Sequence, residues 1–293
     1  MFDLFSLRKK SPTDGMRVAV LLSGELRTVD YCLPKLFSSF KGPHETHFFL
    51  STWDQSRPAD RTGSKNIFVE NKHDLATSPK SFIENRQVKF CGTTVQSYDA
   101  VTTKHMRIAN EISAKIPQEI KDKAYPYATS PHAIMITLNQ WYLIKKGYEL
   151  IQNFHKTQKI DIIVRARPDI ILRKPMVWPN SKEIVSDCLR LSRRGKHYLF
   201  DGYFAGYHAE ISPLLKGYDF FLKQLALQNF CPTYISNMKI SWPFGQTSHQ
   251  RRMGSQGRRS ILESEHFYRY LLAQQTNCAI IDSRVNAEMV RSK

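Results

Sequence analysis

Arg17-Val-Ala-Val-Leu-Leu22 is a short, continuous apolar run that stops at Ser23-Gly24. A run of this length, apolar at successive positions and closed by a turn signal, reads as a strand buried on both faces. Residues 28–40 follow with helical character, and Thr46-His-Phe-Phe-Leu-Ser-Thr-Trp53 reads as a second strand ending at Asp54. Strand, helix, strand in the first 54 residues predicts a parallel α/β sheet flanked by helices. Ligands on such sheets sit beyond the carboxyl ends of the strands. Ser23, Gly24, Arg27, Thr52, Trp53 and Asp54 therefore fall where a nucleotide would bind. Neither G-x-x-x-x-G-K-S/T nor G-x-G-x-x-G follows the first strand, which disfavours a P-loop NTPase or a standard dinucleotide binder.

Further along, residues 55–81 are polar and turn-rich, with one extended piece at 66–70. Met106, Ala109, Ile112, Ile116 and Ile120 recur at helical spacing, opposite Lys104, Arg107, Glu111 and Lys115, and predict an amphipathic helix. A longer helix starts at Ser130 as N-cap, with Pro131 at its first position, and carries Ile134, Leu138, Trp141, Ile144, Tyr148, Ile151 and Phe154 on one stripe. It feeds directly into an inner strand at 160–164. Strands around 198–205 and at 278–281, and helices at 213–227 and 264–274, complete the expected alternation. The expectation is one α/β domain over 16–293, preceded by a flexible segment at 1–15, with a Rossmann-like, mostly parallel central sheet.

Composition narrows the class. The 293 residues carry 43 Lys+Arg against 26 Asp+Glu, a net charge of +17, with 41% apolar residues, so the chain can bury a core and is not disordered as a whole. No apolar run reaches the roughly 18 residues that span a bilayer. The five cysteines Cys32, Cys91, Cys188, Cys231 and Cys278 contain no C-x-x-C, which argues against a zinc site or a disulfide framework. Residues 1–10 place an acidic residue before a short apolar stretch and the basic cluster after it, the reverse of a secretory leader. We expect a cytoplasmic protein, with residues 2–10 able to touch an anionic membrane surface. A charge of +17 suits nucleic acid, an anionic membrane or a polyanionic small substrate. The basic residues are dispersed and no RNP, helix-turn-helix or zinc-finger pattern occurs, so no nucleic-acid partner is expected, although a basic nucleic-acid-binding protein stands as the alternative.

The chemistry concentrates in Asp161-Ile-Ile-Val-Arg-Ala-Arg-Pro-Asp169-Ile-Ile-Leu172. In one extended stretch Arg165, Arg167 and Asp169 would project together from the end of a buried strand. Two guanidiniums and a carboxylate suit a diphosphate with a bridging divalent cation; the alternative is a structural Arg–Asp ion pair at a strand end. Arg27 is within reach of a phosphate or is an exposed helix-start residue. Trp53 could stack on a base or belong to the core. Two carboxylates are candidate general bases. Asp201, beside Gly202, is the first, with a turn-capping role as its alternative. Glu265, with Glu263 and His266 beside it, is the second, with first-turn helix electrostatics as its alternative. Between 239 and 260 lie Lys239, Arg251, Arg252, Arg258 and Arg259 with no acidic residue, which reads as a basic lid or a solvated tract. The histidines are scattered without metal-binding spacing, and there is no G-x-S-x-G or kinase signature.

VLLSGELRT (20–28), FFLSTWD (48–54), the Trp141 helix leading into DIIVRARPDIIL (161–172), DGYFAG (201–206) and ESEHFYRYL (263–271) occur in that order. In this the chain resembles the GT-A-type glycosyltransferases of surface-polysaccharide synthesis, including the WavE-like lipopolysaccharide-synthesis group. The resemblance runs from about Arg17 to about Val290. It implies a GT-A-like domain in which a Rossmann-like half binds a nucleotide-sugar donor, a second half receives a glycan acceptor, and a sugar passes between them. It also implies that Ser23, Gly24 and Arg27 face the nucleotide, with Thr52, Trp53 and Asp54 nearby, and that Glu265 matches the carboxylate heading the last helix. The D-x-D metal motif of that family maps onto Arg167-Pro168-Asp169, with arginine in place of the first aspartate. Either Asp169 holds Mn²⁺ or Mg²⁺ alone, or Arg165 and Arg167 neutralise the leaving diphosphate without metal. A catalytically inactive relative that binds nucleotide sugar without turnover is a further alternative.

Overall fold

The computed structural model describes residues 15–26, 28–40, 42, 44–54, 67–69, 90–116, 118, 121, 130–191, 196–226, 278–282 and 287–292. Arg27, Glu265, the expected helix at 264–274, the basic 239–260 tract and the 2–10 segment lie outside them, as does the side chain of Asp201.

β1 (Arg17–Ser23) is the centre of the molecule. It pairs in parallel with β2 (Glu45–Trp53) on one side and with β5 (Ile162–Ala166) on the other. β4 (Gly92–Gln96) extends the sheet beyond β2. Beyond β5 come β8 (Lys196–Tyr207), β7 (Glu183–Leu191) and β9 (Ala279–Asp282), giving the order β4-β2-β1-β5-β8-β7-β9. β8 alone runs against its neighbours; the other six strands are parallel. This is a mixed α/β architecture with a mostly parallel sheet, compatible with a Rossmann-like fold. A second sheet has the order β3-β10-β6, with β3 (Ile67–Val69), β6 (Ile170–Leu172) and β10 (Ala287–Ser292).

The continuous apolar character of β1 follows from burial on both faces. Val18, Val20 and Leu22 pack against α1 (Val29–Ser39) through Val29, Cys32, Leu33 and Leu36. Ala19 and Leu21 face the other way, toward α3 (Pro131–His155), through Leu138, Trp141, Ile144 and Ile151. Gly147 is what lets α3 approach so closely, since a Cβ there would overlap the Leu21 side chain. Ser130 caps α3 by accepting from Ala133 N at 3.2 Å, with Pro131 in the first turn as the sequence predicts. α2 (Tyr98–Lys115), α4 (His208–Leu215) and α5 (Gly217–Ala226) complete this layer. Among the described residues no helix is long and apolar enough to cross a membrane.

Four local expectations are corrected. α2 begins at Tyr98, earlier than the periodic stripe suggests, because Asp54 Oδ1 at the end of β2 accepts the Tyr98 N–H at 2.9 Å. The helix expected over 213–227 is two helices broken at Lys216, and Pro213 lies inside the first of them. β4, β7 and β10 have no counterpart in the sequence reading: β4 is a polar edge strand, β7 shifts register between Ser186 and Cys188, and β10 follows the strand expected to be the last. The stretch 161–172 is not one extended strand. β5 ends at Ala166, the chain turns at Pro168-Asp169, and β6 departs to pair with β10. Proline has no N–H to continue a ladder, so the strand stops there.

Candidate functional site

Successive connections carry the chain from β1 outward to β2 and β4, then back across to β5 on the other side of β1. The carboxyl ends of β1 and β5 are therefore a topological switch point, the place where open α/β sheets bind ligands. Two helix N-termini are directed to this edge, since α1 follows β1 and α2 follows β4. Each adds partial positive charge to the edge. α3 runs antiparallel to the strands, with Leu143 near Trp53 at the end of β2 and Phe154 against Phe49 nearer its start.

Arg165 lies on the α3 face of β5, in register with Phe204 of β8, and only 1% of it is exposed. Its Nε donates to Ser23 Oγ at 2.9 Å, and its guanidinium carbon stands 5.8 Å from the Phe204 ring centroid. A buried guanidinium is costly to desolvate, and the Ser23 hydroxyl and the aromatic face offset part of that cost. Arg167, past the end of the strand, makes a bidentate pair with Asp169: Nε to Oδ1 at 2.8 Å and Nη2 to Oδ2 at 2.7 Å. Asp169 is 1% exposed, whereas the Arg167 side chain retains 19%. Arg165, Arg167 and Asp169 therefore do not project as one row. The turn at Pro168 breaks strand parity, so Arg165 bonds to β1 while Arg167 and Asp169 bond to each other. The structural ion pair, one of the two readings of this stretch, is present.

Asp169 lies close enough to the first turn of α1 to act on Cys32. Burial pushes the Cys32 thiol up to about 12, and the Asp169 charge adds to the rise. Gly24 has φ +144, a conformation that side chains rarely adopt, and a Cβ there would stand 3.2 Å from Pro168 Cδ. Glycine here lets the end of β1 lie against the turn after β5. Thr52 is buried and donates to the Gly24 carbonyl at 2.8 Å, while Gly24 N donates to Ser51 O at 3.1 Å.

Ser23, Gly24, Thr52, Arg165, Arg167 and Asp169 are thus brought together. Trp53 and Asp54 are not. Trp53 is a core residue against Tyr98 and Leu143, its ring stacked at 6.4 Å from that of Tyr142, and Asp54 caps α2. Asp201 comes to the same edge by backbone, because β8 runs antiparallel: Arg167 N donates to the carbonyl of its neighbour Gly202 at 2.8 Å. Sequence reasoning missed Ser51 and Phe204. Ser51 is buried opposite Ser23 in the ladder, and Phe204 lies beneath Arg165. Strand parity within FFLSTWD and DGYFAG is the signal that could have found them.

The described donors do not fit a Mn²⁺ or Mg²⁺ site. Both oxygens of Asp169 hold Arg167, and among the described residues no group of three His, Cys, Asp or Glu gathers to ligate a metal. Such ions want carboxylate oxygens not already committed to a guanidinium. No family model matches the chain, and no curated protein matches it.

Proposed function

We propose that the chain is a glycosyltransferase that moves a sugar from a nucleotide-diphosphate sugar to a glycan acceptor in surface-polysaccharide or glycoconjugate synthesis. One observation carries the reading: at the switch point of a mostly parallel sheet, Ser23, Gly24, Arg165, the Arg167–Asp169 pair and the backbone of Asp201 converge. Cationic side chains at that edge suit a diphosphate, whose oxygens take up guanidinium N–H groups in planar, paired fashion.

In this reading Arg167 neutralises charge building on the leaving nucleoside diphosphate, and Asp169 is the positioning residue that holds its guanidinium in one plane. Arg165 adds a fixed positive charge at low local dielectric, where such stabilisation acts most strongly. Gly24 lets the donor approach the backbone of the β1 turn. Asp201, or Glu265, takes the proton from the acceptor hydroxyl as the new glycosidic bond forms. No step is assigned to a metal ion.

The test is a thermal-shift panel of UDP, GDP, CMP and dTDP sugars, each with Mn²⁺ and with EDTA. A ligand selective for the native state at 100 times its Kd stabilises by about 2.7 kcal/mol. We expect one nucleotide class to raise Tm, with the shift surviving EDTA, and sugar transfer by that donor. A panel in which no nucleotide sugar raises Tm would falsify the proposal.

A further inference from the structure

At the opposite, amino end of the sheet, β2 and the segment entering β4 bring three reactive side chains into contact. Cys91 Sγ stands 3.6 Å from His47 Nδ1, and His47 Nε2 stands 3.3 Å from Glu45 Oε1. Glu45 and His47 are two residues apart on β2 and so share a face. Cys91 is anchored by its own N–H, which donates to Phe48 O at 2.8 Å. The His47 ring is buried, with its centroid 4.7 Å from that of Phe154 on α3, while Cys91 is exposed. On its far side Glu45 is held by Arg17, Nε to Oε2 at 3.0 Å.

These contacts set the direction of the protons. A carboxylate can only accept, so the ring hydrogen belongs on Nε2, toward Glu45, although that contact has ion-pair distance without hydrogen-bond alignment. Nδ1 is then the acceptor, and the Cys91 S–H donates to it. Burial lowers the pKa of His47, which keeps the ring neutral and able to take a proton at neutral pH. The charged groups facing His47 are Glu45 on its own strand and Arg17 on β1; from α3 it meets the uncharged ring of Phe154. A nucleophile within hydrogen-bond reach of a base, with a carboxylate charge beside that base, is an arrangement that activates a weak nucleophile. Cys32 offers the contrast, a buried thiol whose pKa is raised.

We propose that Cys91, with His47 as its base and the Glu45 carboxylate beside the imidazole, is a reactive thiol that forms mixed disulfides with low-molecular-weight disulfides. His47 Nδ1 takes the thiol proton, and the Cys91 thiolate attacks one sulfur of the disulfide. The new S–S bond forms as the old one breaks, and the leaving thiolate takes the proton back from Nδ1. No electron acceptor other than the disulfide is required. This site does not depend on the glycosyltransferase reading.

The test uses the reduced full chain with oxidised glutathione at pH 7, followed by peptide mapping to separate Cys91 from the other four cysteines. An ordinary thiol with pKa about 8.5 is roughly 3% thiolate at pH 7, and full activation offset by lower nucleophilicity leaves about a tenfold gain in rate. We expect Cys91 to react about tenfold faster than N-acetylcysteine, and His47→Gln to abolish that advantage while buried Cys32 stays unmodified. A Cys91 rate equal to that of the free thiol, or an unchanged rate in His47→Gln, overturns the proposal. Should His47→Gln fail to fold, the pH profile of the unmutated chain decides. A midpoint below the ordinary thiol value of about 8.5 supports the pair, and a midpoint at that value overturns it.

Discussion

At the carboxyl edge of β1 and β5 the buried Arg165 and Asp169 and the half-buried Arg167 are ionic, whereas the buried polar side chains between α2, α3 and α5 are neutral. In the second cluster His105 Nδ1 donates to Asn139 Oδ1 at 2.6 Å, and Tyr218 Oη donates to His105 Nε2 at 2.8 Å. The Asn139 amide nitrogen donates to Thr102 Oγ1 at 2.9 Å, which orients its oxygen toward the histidine and fixes the tautomer. A closed neutral network costs little to bury and makes one helix packing more favourable than its competitors. Charges are expensive to desolvate, and packing alone gives no reason to gather them at a sheet edge. The neutral cluster is built for the fold, and in the proposed reading the ionic one serves charge recognition.

Breaking the ionic cluster should have the largest effect. Asp169→Asn leaves Arg167 without its carboxylate and should destabilise the fold by about 3–5 kcal/mol, read from urea unfolding. A loss below about 1 kcal/mol would mean that the pair is solvated and the contrast between the clusters is false. Tyr218→Phe removes the donor to His105 Nε2 and should cost about 1–3 kcal/mol, with no effect on nucleotide-sugar binding. Arg167→Lys keeps the charge but loses the planar fork. Nucleoside-diphosphate affinity should fall about tenfold, equivalent to about 1.4 kcal/mol, while nucleoside affinity holds; equal losses in titration calorimetry would assign Arg167 to stability alone.

The neutral cluster also predicts a pH dependence. Burial lowers the pKa of His105, so the folded state holds the neutral ring. Its contribution is complete above the unfolded value of about 6.5 and is lost as pH falls through the lower folded value. His44, His47 and His208 are shifted the same way. The part due to His105 is therefore the difference between the original chain and His105→Gln in urea midpoints from pH 7.5 to 5. Parallel curves would remove His105 from the account. The smallest effect belongs to the rim: Lys145→Ala breaks a 2.7 Å pair with Asp219, whose side chain is 57% exposed, and should cost about 0.2–1 kcal/mol.

Much of the frame was legible because its signals are local. The run from Val18 to Leu22 has to be buried on both faces, and Ser130-Pro131 has to start a helix whatever lies around it. The switch-point position of Ser23 and Gly24 followed from the strand, helix, strand order. Arg165, Arg167 and Asp169 were found as residues, and an Arg–Asp pair was one of the two readings, but the separation of Arg165 from the other two was not, because period-2 parity holds only while the strand continues and Pro168 ends it.

The sequence by itself therefore determined the strand at the centre of the sheet, the long helix that covers it, and the cationic character of the edge where they meet, since apolar periodicity, capping residues and charge act within a few residues of one another. Only the tertiary structure decided that Arg165 would bond to Ser23, that Arg167 and Asp169 would close on each other, that Trp53 would enter the core, and that Asp54 would start α2 from 44 residues away. The Arg167–Asp169 pair, between residues two apart, depends on the turn at Pro168; the others depend on which elements lie side by side. β8 brings Asp201 to the site edge for the same reason: its antiparallel direction, set by pairing with β5 and β7, carries its early residues to the carboxyl ends of its neighbours.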